Sequence, residues 1–295
     1  MKLVISLAAT VVALTSVPAA AVPTDAVPAD AVPADAGVLG RSADRAADRP
    51  ADRAADRAAA AAKAVVTASA EQVTEGDSLT LRVKVPTSKD AKKVVLEERR
   101  DDVFGDPTWD RVDGTRAKAR LAFATTVTAQ NEATYRVTVT YRGREKPVAS
   151  RPVTVTVWRW IALQEFEPYL QSSTATYTEA DINGTSYAVW GGYGSTARSW
   201  EARVTPGRNC TKFRAVLGLS DGSDDGSSGV VSFTSDEATT VYQSPSLVPG
   251  MTVPVALDLA APYRFGMSAT NTSADKVRSY PMVADGAFYC TGIED

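Results

Sequence analysis

The stretch that decides the fold is VWGGYGSTARSWEARV, residues 189–204. Its Gly192, Gly194 and Ala197 match the G-x-G-x-x-A spacing of a dinucleotide-binding turn, which requires a strand before the glycines and a helix that begins at them. The residues that follow instead alternate between apolar and polar and soon reach Pro206-Gly207, which predicts a second strand and a turn. The stretch therefore indicates β-structure, and its context excludes a phosphate-binding turn.

The same alternating pattern continues through the C-terminal half of the chain. Eight such segments occur, and no segment longer than ten residues has a helical period. They are 186–192, 199–205, 210–219, 229–235, 239–244, 252–259, 263–270 and 286–292. Short strands separated by turns predict a β-sandwich of the jelly-roll type over 160–295.

A second β region precedes it, between residues 64 and 158. Its alternating runs are rich in β-branched and aromatic residues and are separated by glycine-containing turns. They are 79–85, 93–99, 119–127, 133–142 and 151–158. Strands at this spacing over a segment of this length predict an immunoglobulin-like β-sandwich, so the expected fold class is all-β throughout.

The N-terminus carries targeting and spacer signals. A basic start, an apolar run over 3–17 and the A-x-A pattern of Ala19 and Ala21 predict a signal peptide at 1–21 and a secreted, extracellular chain. Because the run is shorter than the ~20 residues a membrane-spanning helix needs, we expect no membrane span in the mature chain. Residues 22–63 repeat Ala, Pro, Asp and Arg, which predicts a disordered linker.

Composition excludes several classes of function. The chain of 295 residues has no histidine and two cysteines, which removes Ser-His-Asp catalysis, four-cysteine zinc sites and iron–sulfur clusters. Residues 159–295 carry 9 Lys and Arg against 15 Asp and Glu, so nucleic-acid binding is not expected. Export favours a Cys210–Cys290 disulfide, with two buried thiols as the alternative.

Three segments in the C-terminal half carry a family resemblance. CTKFRAVLGLSD (210–221), GVVSF (229–233) and VYQS (241–244) resemble, in that order, the strands of the novel putative carbohydrate-binding module (NPCBM) family. This family is a galactose-binding-like jelly roll of secreted bacterial proteins, and the likeness covers about 180–292. Thr196 stands where the family often has histidine. The resemblance implies a secreted, non-catalytic protein that binds carbohydrate or cell-wall glycan.

Sugar recognition needs an aromatic platform and a few polar groups that fix the hydroxyls. Trp190 and Tyr193 flank the glycine turn, Arg198 follows it, and Tyr242 lies in a neighbouring predicted strand. We expect these four residues to form the carbohydrate site. The alternative is an extracellular adhesion or protein–protein interaction module without a sugar site.

The loop SDGSDDGSSG, residues 220–229, suggests a cation site. Asp221, Ser223 and Asp225 fit the opening of a calcium loop, because hard cations prefer several oxygens around a sharp turn. A structural calcium ion is one interpretation, and a flexible acidic loop is the other. The adjacent carboxyl groups of Asp224 and Asp225 do not provide the separation that glycoside hydrolysis requires, so we expect no catalysis.

Overall fold

A computed structural model describes residues 63–101, 105–129, 131–192, 198–237 and 239–293. The predicted signal peptide and the predicted linker up to residue 62 lie outside this part of the chain. Across the described residues the secondary structure consists of β-strands and one 3-10 turn, Leu163–Glu165, with no α-helix. The predicted all-β fold class is confirmed.

The first half of the described chain contains nine strands. They are β1 Val65–Ala68, β2 Gln72–Thr74, β3 Ser78–Lys84, β4 Ala91–Arg100, β5 Thr108–Arg116, β6 Arg120–Thr126, β7 Glu132–Tyr141, β8 Val148–Ala149 and β9 Val153–Ala162. Strands β1, β3 and β6 form one sheet, and β9, β7, β4 and β5 follow one another in a second. Alternate residues of both sheets, such as Leu81, Val137 and Val157, share one buried aliphatic cluster. This part is a two-layer sandwich, and its immunoglobulin type stays a prediction.

The second half contains ten strands. They are β10 Leu170–Gln171, β11 Ala175–Ile182, β12 Thr185–Gly192, β13 Ser199–Val204, β14 Cys210–Leu219, β15 Gly229–Ser235, β16 Thr239–Gln243, β17 Thr252–Asp258, β18 Phe265–Asn271 and β19 Pro281–Cys290. One sheet has the order β10-β13-β18-β15-β16. The other contains β11, β12, β19, β14 and β17 and continues through β9 into the first half. The eight predicted strands are all present.

The core of this second sandwich is aromatic. Phe213 and Phe288 from one sheet pack against Phe233 and Phe265 from the other, and all four are fully buried. Trp200, which alternation places in the core with Ala202 and Val204, is also buried, and its indole Nε1 donates to the carbonyl of Pro281 at 2.9 Å.

Strand β9 belongs to both halves. Val153 pairs with β7, whereas residues 159–162 pair with the C-terminal end of β19. The predicted boundary near residue 159 therefore falls inside a continuous strand. The main buried clusters nevertheless lie on either side of it, one within 64–157 and the other within 161–290. The division into two domains remains a prediction.

Candidate functional site

A cleft lies where the pairing partner of strand β19 changes from β12 to β9. The first part of β19 pairs with β12 through Val189↔Ala284 and Trp190↔Val283, and the last part pairs with β9 from Ala287↔Ala162 onward. Between these two partners the sheet has a gap, and a cleft of about 330 Å³ lies there. This volume is at the lower end of the range for small-molecule sites.

A β-bulge forms the floor of the cleft. In the pairing of β14 with β19, Val216 pairs with Ala284 and Arg214 pairs with Ala287. Asp285 and Gly286 of β19 therefore lie opposite the single residue Ala215 of β14, which makes a β-bulge. Asp285 has a positive φ of 47°. A Cβ on Gly286 would lie 2.7 Å from Leu163 Cδ2, so glycine allows the 3-10 turn to pack directly on the bulge. The sequence prediction began this strand at Gly286, whereas in the structure it begins at Pro281.

Aromatic rings line the walls of the cleft. Tyr177 and Trp190 are cross-strand partners on β11 and β12, with ring centroids 5.8 Å apart. Trp160 lies at the other side, at the end of β9. Trp160 is 36% exposed and Tyr177 39%, whereas Trp190 is 5% exposed. Trp190 therefore contributes the buried base of the wall and the other two rings contribute accessible surface.

Polar groups lie between the rings. The Tyr177 hydroxyl donates a hydrogen bond to Gln164 Oε1. Burial, together with the negative charges of Asp285 and Glu179, raises the pKa of Tyr177 above its usual value, so the hydroxyl keeps the proton that it donates to Gln164. The Asp285 carboxylate at the floor of the cleft is exposed. The cleft thus combines donors and acceptors with apolar ring surface.

Arg214 completes the wall beside Trp160. Its guanidinium carbon lies 4.3 Å from the centre of the Trp160 ring, which is cation–π geometry. Registers Arg214↔Ala287 and Tyr289↔Trp160 place Arg214 and Trp160 on the same face of the sheet. The Arg214 side chain is exposed and is one of the residues that line the cleft.

The residues predicted for the carbohydrate site are dispersed. Trp190 lines the cleft, but Arg198 pairs with Asp275 at 2.6 Å, and Tyr242 stacks on Phe233 in the opposite sheet at 5.8 Å. Tyr193 lies outside the described residues. Trp160, Tyr177, Arg214 and Asp285 were not predicted, because their proximity depends on the strand exchange of β19.

The predicted calcium-loop residues have protein partners. The two carboxylate oxygens of Asp221 accept the backbone N–H groups of Asn183 and Gly184, at 2.7 and 2.8 Å. Ser223 Oγ accepts the backbone N–H of Tyr280 at 3.1 Å, and Asp225 is exposed. Among the described residues no group of three or more acidic, cysteine or histidine side chains is arranged to hold a metal. Calcium binding stays a prediction from the sequence.

The predicted disulfide is confirmed. Cys210 and Cys290 are bonded, lie 80 residues apart in sequence and are fully buried. They are cross-strand partners on β14 and β19, next to the phenylalanine core. The bond ties the C-terminal end of β19 to its neighbour, on the far side of the bulge from β12.

In the part of the chain that the structure describes, no helix has the length and apolarity to span a bilayer.

Comparisons with known proteins give only distant likenesses. No family model and no curated protein matches the sequence. A carbohydrate-binding module, CBM51, from Clostridium perfringens GH95 in complex with methyl-galactose has a TM-score of 0.37 and 13% identity, covering 44% of this chain and 99% of that one. The M60 catalytic domain with two CBM51 domains from Clostridium perfringens ZmpB has a TM-score of 0.37 and 12% identity.

The alignment with the M60 and CBM51 structure covers 78% of this chain and 31% of that chain, so this chain spans about a third of the other protein's length. A tandem of CBM22 domains from Paenibacillus barcinonensis Xyn10C has a TM-score of 0.27 and 11% identity, covering 78% of this chain and 92% of that one. The solved structures that the chain is similar to thus include carbohydrate-binding modules. TM-scores and identities this low do not establish a shared function.

The lining of the cleft combines apolar and polar groups. The partly exposed rings of Trp160 and Tyr177 offer apolar surface, the Asp285 carboxylate is a hydrogen-bond acceptor and the Arg214 guanidinium is a donor. Asp285 is the single carboxylate among the lining residues that the structure describes.

Proposed function

We propose that the chain is a secreted, non-catalytic carbohydrate-binding protein whose glycan site is the cleft at the bulge of β19. The observation that carries the proposal is the combination of accessible rings of Trp160 and Tyr177 with the exposed carboxylate of Asp285 in one concavity. A sugar ring has an apolar face and a rim of hydroxyl groups, which this combination complements.

Secretion and the remaining domain assignments belong to the same proposal. The signal-like residues 1–21 and the repetitive residues 22–63 support an exported chain with a spacer, and the NPCBM-like segments within 180–292 support a glycan-binding jelly roll. The buried disulfide fits an oxidising compartment.

An adhesion or protein-interaction function is the second candidate, and a separate surface favours it. Tyr169 and Tyr263 are 42% and 43% exposed, and the guanidinium of Arg264 lies 4.7 Å from the first ring and 6.0 Å from the second. Tyrosine and arginine are enriched in protein interfaces. This Tyr169–Arg264–Tyr263 patch is away from the residues that line the cleft.

A glycan-array screen of the oxidised full-length chain tests the first candidate. Three proteins are compared: the wild type, Trp160→Ala in the cleft, and Tyr263→Ala in the patch as the matched control. We expect glycan binding that Trp160→Ala reduces about tenfold or more and that Tyr263→Ala leaves unchanged. A blank array from folded protein contradicts glycan binding, and a partner captured in a way that depends on Tyr263 would support the second candidate.

A further inference from the structure

Arg214 has a different kind of partner from the arginines that form ion pairs. Several arginines form ion pairs with carboxylates at 4 Å or less: Arg136 with Glu97, Arg198 with Asp275, Arg203 with Glu201, Arg264 with Glu237 and Arg278 with Asp224. Within the described residues Arg214 has no carboxylate and no hydrogen-bond acceptor, and its side chain makes a ring contact with Trp160. Its guanidinium contacts an aromatic ring, and its N–H donors have no acceptor among the described residues.

The position of Arg214 makes its N–H donors part of the cleft lining. The residue is exposed, lines the cleft and stacks on a Trp160 ring that lines it too. A planar guanidinium has a fork of N–H groups that matches the two oxygens of a carboxylate, and stacking on an aromatic face preserves that fork. The Asp285 carboxylate, a hydrogen-bond acceptor, lines the same cleft. The lining therefore contains both a charged donor and a charged acceptor.

From this arrangement we infer that the ligand is an acidic sugar whose carboxylate binds the Arg214 guanidinium, while Asp285 accepts hydrogen bonds from its hydroxyl groups. The inference rests on the proposed function and names the substrate class of the same site. A uronic-acid residue within a polysaccharide has this chemistry. Neutral sugars would leave the guanidinium without its charged partner.

A second cation extends the same face beyond the cleft. Lys212 Nζ lies 5.9 Å from the centre of the Tyr289 ring, and Tyr289 pairs with both Lys212 on β14 and Trp160 on β9. Asp258 pairs with Lys212 across β17 without forming an ion pair within 4 Å among the described residues. Lys212 is therefore placed to meet a further acidic residue of a longer chain, with a weaker effect than Arg214 because an ammonium lacks the planar fork.

Titration calorimetry on the full-length chain tests the inference. The ligands are an oligogalacturonide, the same oligosaccharide after chemical reduction of its carboxylates to alcohols, and a sulfated galactan. The proteins are the wild type, Arg214→Gln, Arg214→Lys, and Arg151→Gln as a control with the same charge change on an exposed arginine outside the cleft. Thermal unfolding confirms that each variant is folded.

We expect the oligogalacturonide to bind the wild type, with about tenfold to hundredfold weaker binding for Arg214→Gln and for the reduced ligand. Arg214→Lys should recover part of the affinity and Arg151→Gln all of it. Equal binding of the reduced ligand, or no effect of Arg214→Gln, overturns the acidic-sugar inference while glycan binding stands. Binding of the sulfated galactan alone overturns the carboxylate assignment. A blank with these ligands and with the glycan array overturns both proposals.

Discussion

Two groups of aromatic residues in the same sandwich differ in what surrounds them. Phe213, Phe233, Phe265 and Phe288 pack with ring centroids 4.9–5.5 Å apart and are fully buried. At the cleft only Tyr177 and Trp190 are in ring contact among the described lining residues, Tyr177 and Trp160 are more than a third exposed, and the charged Arg214 and Asp285 lie in the same lining. The first arrangement stabilises the fold, whereas the second keeps apolar surface open beside polar groups.

The difference originates in the backbone. Along the regular part of the β14–β19 pair, alternation sends Phe213 and Phe288 into the core, and the disulfide follows at the next buried position of β19. At Asp285 and Gly286 the bulge interrupts that alternation, and the neighbouring strand changes from β12 to β9. An irregularity of two residues in one strand thus separates a closed core from an open cleft.

Of the substitutions that compare the closed core with the open cleft, Phe213→Ala is expected to have the largest effect on stability. Removing this fully buried ring should lower the free energy of unfolding by about 3–5 kcal/mol, because it leaves a cavity between both sheets. Trp160→Ala removes a larger but partly exposed ring and should cost at most about 2 kcal/mol. Urea denaturation of both variants measures the two losses. Equal losses would contradict the assignment of Trp160 to binding.

The disulfide is expected to make the next largest contribution to the free energy of unfolding. Replacing Cys210 and Cys290 by alanine together should lower the free energy of unfolding by about 2–5 kcal/mol, since the bond closes a loop of 80 residues in the unfolded chain. Denaturation of wild type with and without reductant gives the same quantity independently. A loss well below 1 kcal/mol would show that the pairing of β14 with β19 does not depend on the bond.

Asp221 stabilises the turn between β11 and β12, the two strands that carry Tyr177 and Trp190 of the cleft lining. Its carboxylate holds the Asn183-Gly184 turn between β11 and β12, where both residues have positive φ, at 50° and 71°. Asp221→Ala should therefore cost about 1–3 kcal/mol, whereas the exposed Asp225→Ala should change stability by about 0.5 kcal/mol or less. Thermal unfolding with calcium and with a chelator measures both.

We expect the loss for Asp221→Ala to be the same in both conditions. A calcium-dependent rise in the melting temperature that Asp225→Ala abolishes would instead establish an ion in this loop, as the sequence pattern allows.

The smallest expected effect is the pH dependence from Tyr177. Because its pKa is raised in the folded state, Tyr177 contributes stability that is present below pH about 10 and is lost as the pH rises through the folded pKa. The difference in free energy of unfolding between wild type and Tyr177→Phe should stay constant up to that pH and narrow above it. The pKa of buried Tyr135 is also raised, by burial and by Glu98, but it affects both proteins alike. A difference that widens with pH would contradict the environment described for Tyr177.

The sequence predicts much of the fold. Alternation correctly indicates the eight strands from β12 to β19. Most of them have a buried face, whereas β16 contains no buried residue. Strand β11 was missed although Asn183-Gly184 is a hairpin signal, since its alternate residues are mostly small and polar. Strand β5 was missed because it is exposed along nearly its whole length.

The cleft could not be predicted from the sequence in the same way. Trp160 and Asp285 lie far apart in the chain, and their proximity depends on which strand pairs with each part of β19. The available signal is the Asp285-Gly286 pair inside an apolar run, which indicates a bulge as readily as a turn. Trp190 was placed in the site from the sequence, but its ring lies at the base of the wall.

The measurement that tests the central claim most directly is an NMR titration of the tryptophan indole N–H signals with a glycan obtained from the array. The chain has five tryptophans, so each signal can be assigned by single substitution. We expect the signals of Trp160 and Trp190 to shift on binding, while those of Trp109 in the first half and Trp200 in the core stay in place. Saturable binding that leaves Trp160 and Trp190 unshifted would place the glycan outside the cleft and contradict the proposed site.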